Sequence, residues 1–169
     1  ALAWFQSLEL EKKGYFMITV IGHSKGGNKA QYITLMDSIV RRCVSFDGQG
    51  LSDEFLEINK EYIAKYQWKI TNHNVMFDFV NPLLNSVGEK IYYQGFDYGE
   101  GKFFESHCPN TYFTYRIDKE TGKKKANMIK VPDCADEIRE MNLFFNSYLR
   151  SLNPEEKTKA MDVIGTLVE

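Results

Sequence analysis

Tyr15-Phe16-Met17-Ile18-Thr19-Val20-Ile21-Gly22-His23-Ser24-Lys25-Gly26-Gly27-Asn28-Lys29-Ala30-Gln31-Tyr32 decides the fold. Its first seven residues form an apolar, β-branched and aromatic run, the pattern of a buried strand. Residues 28–36 read as a helix. Between them, Gly22-His23-Ser24-Lys25-Gly26 fits G-x-S-x-G, in which a serine stands on a sharp strand-to-helix turn. Such a turn holds the hydroxyl clear of the sheet, at the positive end of a helix. The backbone N–H of Lys25 then points at an oxyanion forming on a reacting carbonyl. The flanking residues must be small because strand and helix nearly collide there. Five residues with three fixed recur by chance, so the strand before and the helix after carry the reading. Its rivals are a glycine-rich turn with an incidental serine and a phosphate cradle. The P-loop pattern fails, because Gly27 is followed by Asn28 and not by Lys.

Working outward, Arg42-Cys43-Val44-Ser45-Phe46 is a second short strand, ending in the turn Asp47-Gly48-Gln49-Gly50. Strand–helix–strand over this length is one βαβ unit, so the two strands are expected to be parallel and adjacent. Their C-terminal ends open on one edge, where open α/β sheets place ligands. Ser24 and Asp47 therefore share a rim.

Gly22-His23-Ser24-Lys25-Gly26-Gly27-Asn28, followed by Ser45-Phe46-Asp47-Gly48-Gln49-Gly50-Leu51, resembles the lipase side of the α/β-hydrolase superfamily. More closely it is similar to the bacterial Mbeg-like hydrolases, a domain family of unassigned function. The resemblance runs from about residue 1 to the C-terminus and is loosest over 75–101. It implies a three-layer α/β-hydrolase-type domain with a mostly parallel sheet. In that fold several strands precede the elbow, whereas here one helix-like segment does. The expectation is a single domain over 1–169 that lacks its N-terminal strands, the C-terminal portion of a longer domain. The missing part would also hold the usual second oxyanion donor. If the 169 residues are the whole protein, strand 15–21 is a bare edge, and a homodimer through that edge is expected.

A chain of 169 residues with 43% hydrophobic and 14% aromatic content has length for one domain with a real core. A net charge of −2 gives no electrostatic case for nucleic acid. The basic run 119–130 reads as a solvated hairpin tip. Cys43, Cys108 and Cys134 are odd in number and widely spaced, which argues against a disulfide framework or a zinc site. They point to a reducing, cytoplasmic setting. No signal peptide or membrane-length apolar run is visible.

In chain order, 1–13 reads as an amphipathic helix stopped by Gly14. The helix after the elbow is expected to reach Ile39. Residues 52–65 read as one helix capped by Ser52, and 66–71 as a third strand. A loop over 72–82 and a fourth strand over 89–94 follow. Asp97-Tyr98-Gly99-Glu100-Gly101 is a turn. Residues 111–117 and 127–131 form a hairpin around 118–122. Asp133 caps a helix to Arg150, and Asn153-Pro154-Glu155-Glu156 starts a last helix.

A serine nucleophile needs a histidine base, and the base needs a carboxylate to fix its tautomer. The histidines are His23, His73 and His107. His23 adjoins the nucleophile and is expected to pack beneath the turn. His107 comes after the last candidate strand, and its segment Ser106-His107-Cys108-Pro109 resembles the family's late His-Asp-Pro, with Cys108 in place of the Asp. His107 is the preferred base and His73, on the pocket rim, the alternative. Asp47, at the end of the strand after the elbow, is the preferred acid, as in pancreatic-type lipases. Asp78 is the runner-up, because the next strand end reads Asn72-His73-Asn74 without a carboxylate. Asp before Gly is also a common turn pair. The side chain of Lys25 is left open between tucking under the turn and meeting an acid. Cys108 lacks elbow geometry as a thiol nucleophile.

The expected function is a serine hydrolase, esterase- or lipase-like, cleaving carboxylic esters or thioesters through an acyl-enzyme on Ser24. Its triad is Ser24, Asp47 and His107, with the Lys25 amide at the oxyanion. No metal or organic cofactor is implied. The apolar segment 75–84 suits a lipid-like ester. The rival is an inactive or truncated member of the fold acting as a binding or oligomerisation module.

Overall fold

The computed structural model describes residues 1–14, 17–96 and 105–168, without the side chains at 161 and 164–168. Residues 15 and 16 of the expected first strand and the expected turn at 97–101 lie outside the described residues. Five strands form one sheet in the order β1 (Ile18–His23), β2 (Val40–Phe46), β3 (Ile70–Val75), β4 (Glu89–Tyr93) and β7 (Lys130–Val131). The first four pair in parallel, and β7 adds antiparallel to β4. β5 (Thr114–Ile117) and β6 (Lys124–Asn127) form a separate hairpin. The helices are α1 (Leu2–Ser7), α2 (Lys25–Met36), α3 (Asp53–Ile58), α4 (Lys60–Tyr66), α5 (Asp136–Ser151) and α6 (Pro154–Val168).

β1, α2 and β2 make the expected βαβ unit. His23 pairs with Phe46, so both strands end level at the rim. One face of the sheet is apolar because alternate residues point the same way. Val20, Cys43 and Ile70 pack there against Ala30 and Leu35 of α2 and Ile63 and Tyr66 of α4. Phe5 of α1 joins Ile18, Ile33 and Val40 on the same side.

The expected three layers are two among the described residues. Thr19, Ile21 and Arg42 on the opposite face are exposed, Ile21 at 66%. That face is covered only near the rim, where Tyr112 packs on Val75, Tyr93 and Phe46. β1 is an edge strand.

Several boundaries differ from the sequence reading for local reasons. α1 ends at Ser7, and turns lead to Gly14 at φ +76°. The helix expected over 52–65 is two, α3 and α4, broken at Asn59, whose amide folds back onto the Phe55 carbonyl at 2.9 Å. A one-turn 3-10 helix, Gln67–Lys69, takes the start of the expected third strand, and β3 instead runs on to Val75. The start of the expected strand at 111–117 is a 3-10 turn, Pro109–Tyr112. The return strand splits, β6 closing the hairpin and β7 crossing to the main sheet. α5 begins at Asp136 after Ala135, not at Asp133. Asn153 caps α6 as expected: its Oδ1 accepts from the Glu156 N–H at 3.0 Å, and Glu156 Oε2 accepts from the Asn153 N–H at 2.9 Å.

Candidate active site

Ser24 is the single residue between β1 and α2, at φ +56° and ψ −127°. A non-glycine residue there costs about 1–3 kcal/mol and persists only where its surroundings impose it. Two constraints impose it here. The Ser24 N–H donates to the Phe46 carbonyl at 3.0 Å, extending the β1–β2 ladder into the turn. A Cβ on Gly22 would lie 2.1 Å from the Gly26 carbonyl oxygen, so β1 and α2 meet backbone to backbone. Gly27 is similarly close-packed, its hypothetical Cβ 2.8 Å from the Gly48 Cα. Gly26, the last glycine of the motif, faces open space. The tight positions are thus 22 and 27. Lys25 opens α2, with an exposed side chain that meets no acid among the described residues, and its backbone N–H stands in the uncapped first turn.

His107 closes a one-turn 3-10 helix, Glu105–His107, and is 6% exposed. Its Nδ1 donates to Asp78 Oδ2 at 2.5 Å. Nε2 is buried and has no partner. Ser24 Oγ makes no hydrogen bond among the described residues, so the Ser24–His107 bond is not made in this arrangement. Such bonds are often long without substrate and tighten in the complex. The His23 ring stacks on His107 at 4.6 Å between centroids, and its Nε2 donates to the His107 carbonyl at 3.0 Å. His23, expected to pack beneath the turn, therefore lies against His107, with Ser24 the next residue in the chain. Phe79 also packs on the His107 ring, tilted, at 5.7 Å between centroids. Burial lowers the His107 pKa, and burial beside His107 lowers that of His23.

The carboxylate on His107 is Asp78, the runner-up, and not Asp47. Asp78 lies in the loop after β3, fully buried, with Oδ1 accepting from the Val80 and Asn81 N–H groups at 2.8 and 2.7 Å. With the imidazole it has three N–H donors, the surroundings of an ionised carboxylate. Asp47 is also fully buried, one residue past β2 at φ +44°. Its Oδ1 accepts from the Val75 N–H at 2.8 Å and from Asn81 Nδ2 at 2.9 Å. That side chain latches the end of β2 to the end of β3 and is committed away from the imidazole. Burial pushes both carboxyls above the ordinary range.

His73, the alternative base, points to the helix-free face. It stacks between Phe46 and Tyr93 and shares its Nδ1 with the Tyr93 hydroxyl at 2.8 Å. Cys108 is exposed. Phe79, Val80 and Leu83 are buried and pack the loop, whereas Met76 and Phe77 of the same segment line a cavity of about 550 Å³ with Gln94 and Tyr115. A cavity of about 320 Å³ between α3, α5 and α6 is lined by Ser52, Leu84, Leu149 and their neighbours and includes none of the candidate residues.

Sequence reading did not single out Asn81 or foresee the His23 stack. Asp78 followed by two free N–H groups is an Asx-type turn, and that pattern was the available signal for its fixed orientation. Among the described residues, no helix is long and apolar enough to cross a membrane. No known protein-family model matches the chain, and no curated protein matches it in sequence.

Proposed function

We propose that the chain is a serine hydrolase of the esterase or lipase-like kind, acting on carboxylic esters or thioesters through Ser24, His107 and Asp78. The observation that carries this reading is the buried Asp78–His107 pair with its unpartnered Nε2, stacked on His23, the residue before a serine held at φ +56° on a strand-to-helix turn. Asp78 fixes the tautomer with the proton on Nδ1, leaving the Nε2 lone pair as base. Ser24 Oγ attacks the acyl carbonyl and its proton passes to Nε2. The new oxyanion accepts from the Lys25 N–H. The imidazolium protonates the leaving alcohol or thiol, and water, deprotonated at the same nitrogen, releases the acid. The lowered pKa of His107 keeps it neutral before attack, and Asp78 compensates the charge that follows.

The test is labelling with a fluorophosphonate, read by intact mass, on the protein and on Ser24→Ala. Stoichiometric labelling lost in the variant supports the reading; a folded chain that does not label refutes it. A second reading, a binding or oligomerisation role, is favoured by the edge position of β1 and the 66% exposure of Ile21. Light scattering on the intact chain tests it: a dimer abolished by Thr19→Pro supports pairing through that edge, and a monomer refutes it.

A further inference from the structure

Two fully buried carboxyls stand side by side at this rim, and Asn81 touches both. Its backbone N–H donates to Asp78, and its side-chain Nδ2 donates to Asp47 Oδ1 and to the Val75 carbonyl, each at 2.9 Å. The hydrogen bonds divide unevenly. Asp78 receives three N–H donors over its two oxygens. Asp47 receives two, both on Oδ1, and Oδ2 is buried with no donor. The Tyr112 hydroxyl gives its single proton to the His73 carbonyl at 2.6 Å. A buried anionic oxygen without a donor is strongly unfavourable, and protonating that oxygen removes its charge.

We infer that Asp47 is held as a neutral carboxylic acid, so that Asp78, with the fuller set of donors, carries the one negative charge of the pair. Asp47 is then a positioning residue. It ties β2 to β3 and, through Asn81, fixes the carboxylate that orients His107. The groups acting on it are Asp78 from the loop after β3, and Tyr112 and His107 from the two 3-10 segments. Burial and the Asp78 charge both push Asp47 well above the ordinary carboxyl range. Two adjacent buried carboxyls sharing one charge is the general outcome of like-charge repulsion in a dry site.

The test is infrared spectroscopy of the intact chain carrying carbon-13-labelled aspartate, which separates protonated carboxyls from carboxylates. A protonated-carboxyl band at neutral pH is expected in the wild type and lost in Asp47→Asn. No such band in the wild type overturns the inference, as does a band kept in a folded Asp47→Asn. The wild-type spectrum tests the inference even if Asp47→Asn fails to fold. The kinetic arm rests on the proposed hydrolase. There the pH midpoint of fluorophosphonate labelling stays in place in Asp47→Asn, since no charge is removed; a downward shift means an ionised Asp47 and refutes the inference. A chain whose Ser24 does not label refutes the hydrolase reading alone, and the infrared spectra still decide the state of Asp47.

Discussion

Alanine at Gly22 and alanine at Gly26 are expected to act in opposite directions, although both glycines belong to one motif. At Gly22 the new Cβ lies 2.1 Å from the Gly26 carbonyl oxygen and 2.2 Å from its carbon. Ordinary contact begins at 3.4 Å, so β1 and α2 must separate by about 1.3 Å at their tightest point. Both sides are backbone, and no rotamer change relieves the clash. Overpacking costs about 1–3 kcal/mol where side chains can adjust, so this site belongs at or above about 3 kcal/mol. For a chain of this size that lowers Tm by about 6–12 °C. At Gly26 nothing lies within 4 Å of the added methyl, and the residue sits in the first turn of α2. Removing the flexibility of glycine in a helix is worth about 0.5–1 kcal/mol, a rise in Tm of about 1–4 °C. Thermal unfolding of the two variants beside the wild type is the assay. Gly26→Ala destabilising the chain as much as Gly22→Ala would mean that the helix, not the strand, sets the tight contact, and the account of the turn would be wrong.

Four further outcomes follow from the site. Asp78→Asn reverses the tautomer preference of His107 and is expected to slow fluorophosphonate labelling by roughly 10³–10⁴-fold; an unchanged rate would remove Asp78 from the proposed triad. Asn81→Ala leaves Asp47 Oδ1 short of a donor and is expected to cost about 1–3 kcal/mol in urea unfolding, with a further loss of labelling rate through Asp78. Because burial lowers the His107 pKa, the base stays neutral below the ordinary 6.5, so the acid limb of labelling is expected under that pH. The same shift costs stability as pH falls from 6.5, since the unfolded chain takes the proton first; thermal unfolding over a pH series reads this as a falling Tm.

The βαβ unit and the elbow were legible because local chemistry dictates them: a β-branched run, two close-packed glycines and a helix. The acid was not, and the reason lies in β3. Asn72-His73-Asn74 reads as loop, yet Asn72 is a strand residue whose side-chain Nδ2 donates to the Val87 and Glu89 carbonyls at 2.8 and 3.2 Å. Polar side chains that bond to a neighbouring strand's backbone defeat hydropathy patterning. With β3 ending at Val75 and not at Thr71, Asp78 moves from a remote loop to the rim. The exposure of the sheet's second face was invisible for a different reason, since the helix layer expected there came from the resemblance and from no residue in the chain.

The rim itself explains why strained residues sit where chemistry is proposed. The residue after each of three parallel strands donates its N–H to the end of the next strand: Ser24 to Phe46, Asp47 to His73, and Met76 to Tyr93, at 3.0, 2.9 and 2.8 Å. Each bond carries the sheet ladder one residue beyond the strand and pins the first turn residue before the chain reverses. Ser24 and Asp47 are both held at positive φ by this arrangement. The ladder is cooperative with the core below it, so the strain of about 1–3 kcal/mol per residue is set against contacts that unfold only with the domain. A serine at such a step keeps its orientation without substrate. The carboxyl at the second step becomes a strut, and the carboxylate past the third is left to hold the imidazole.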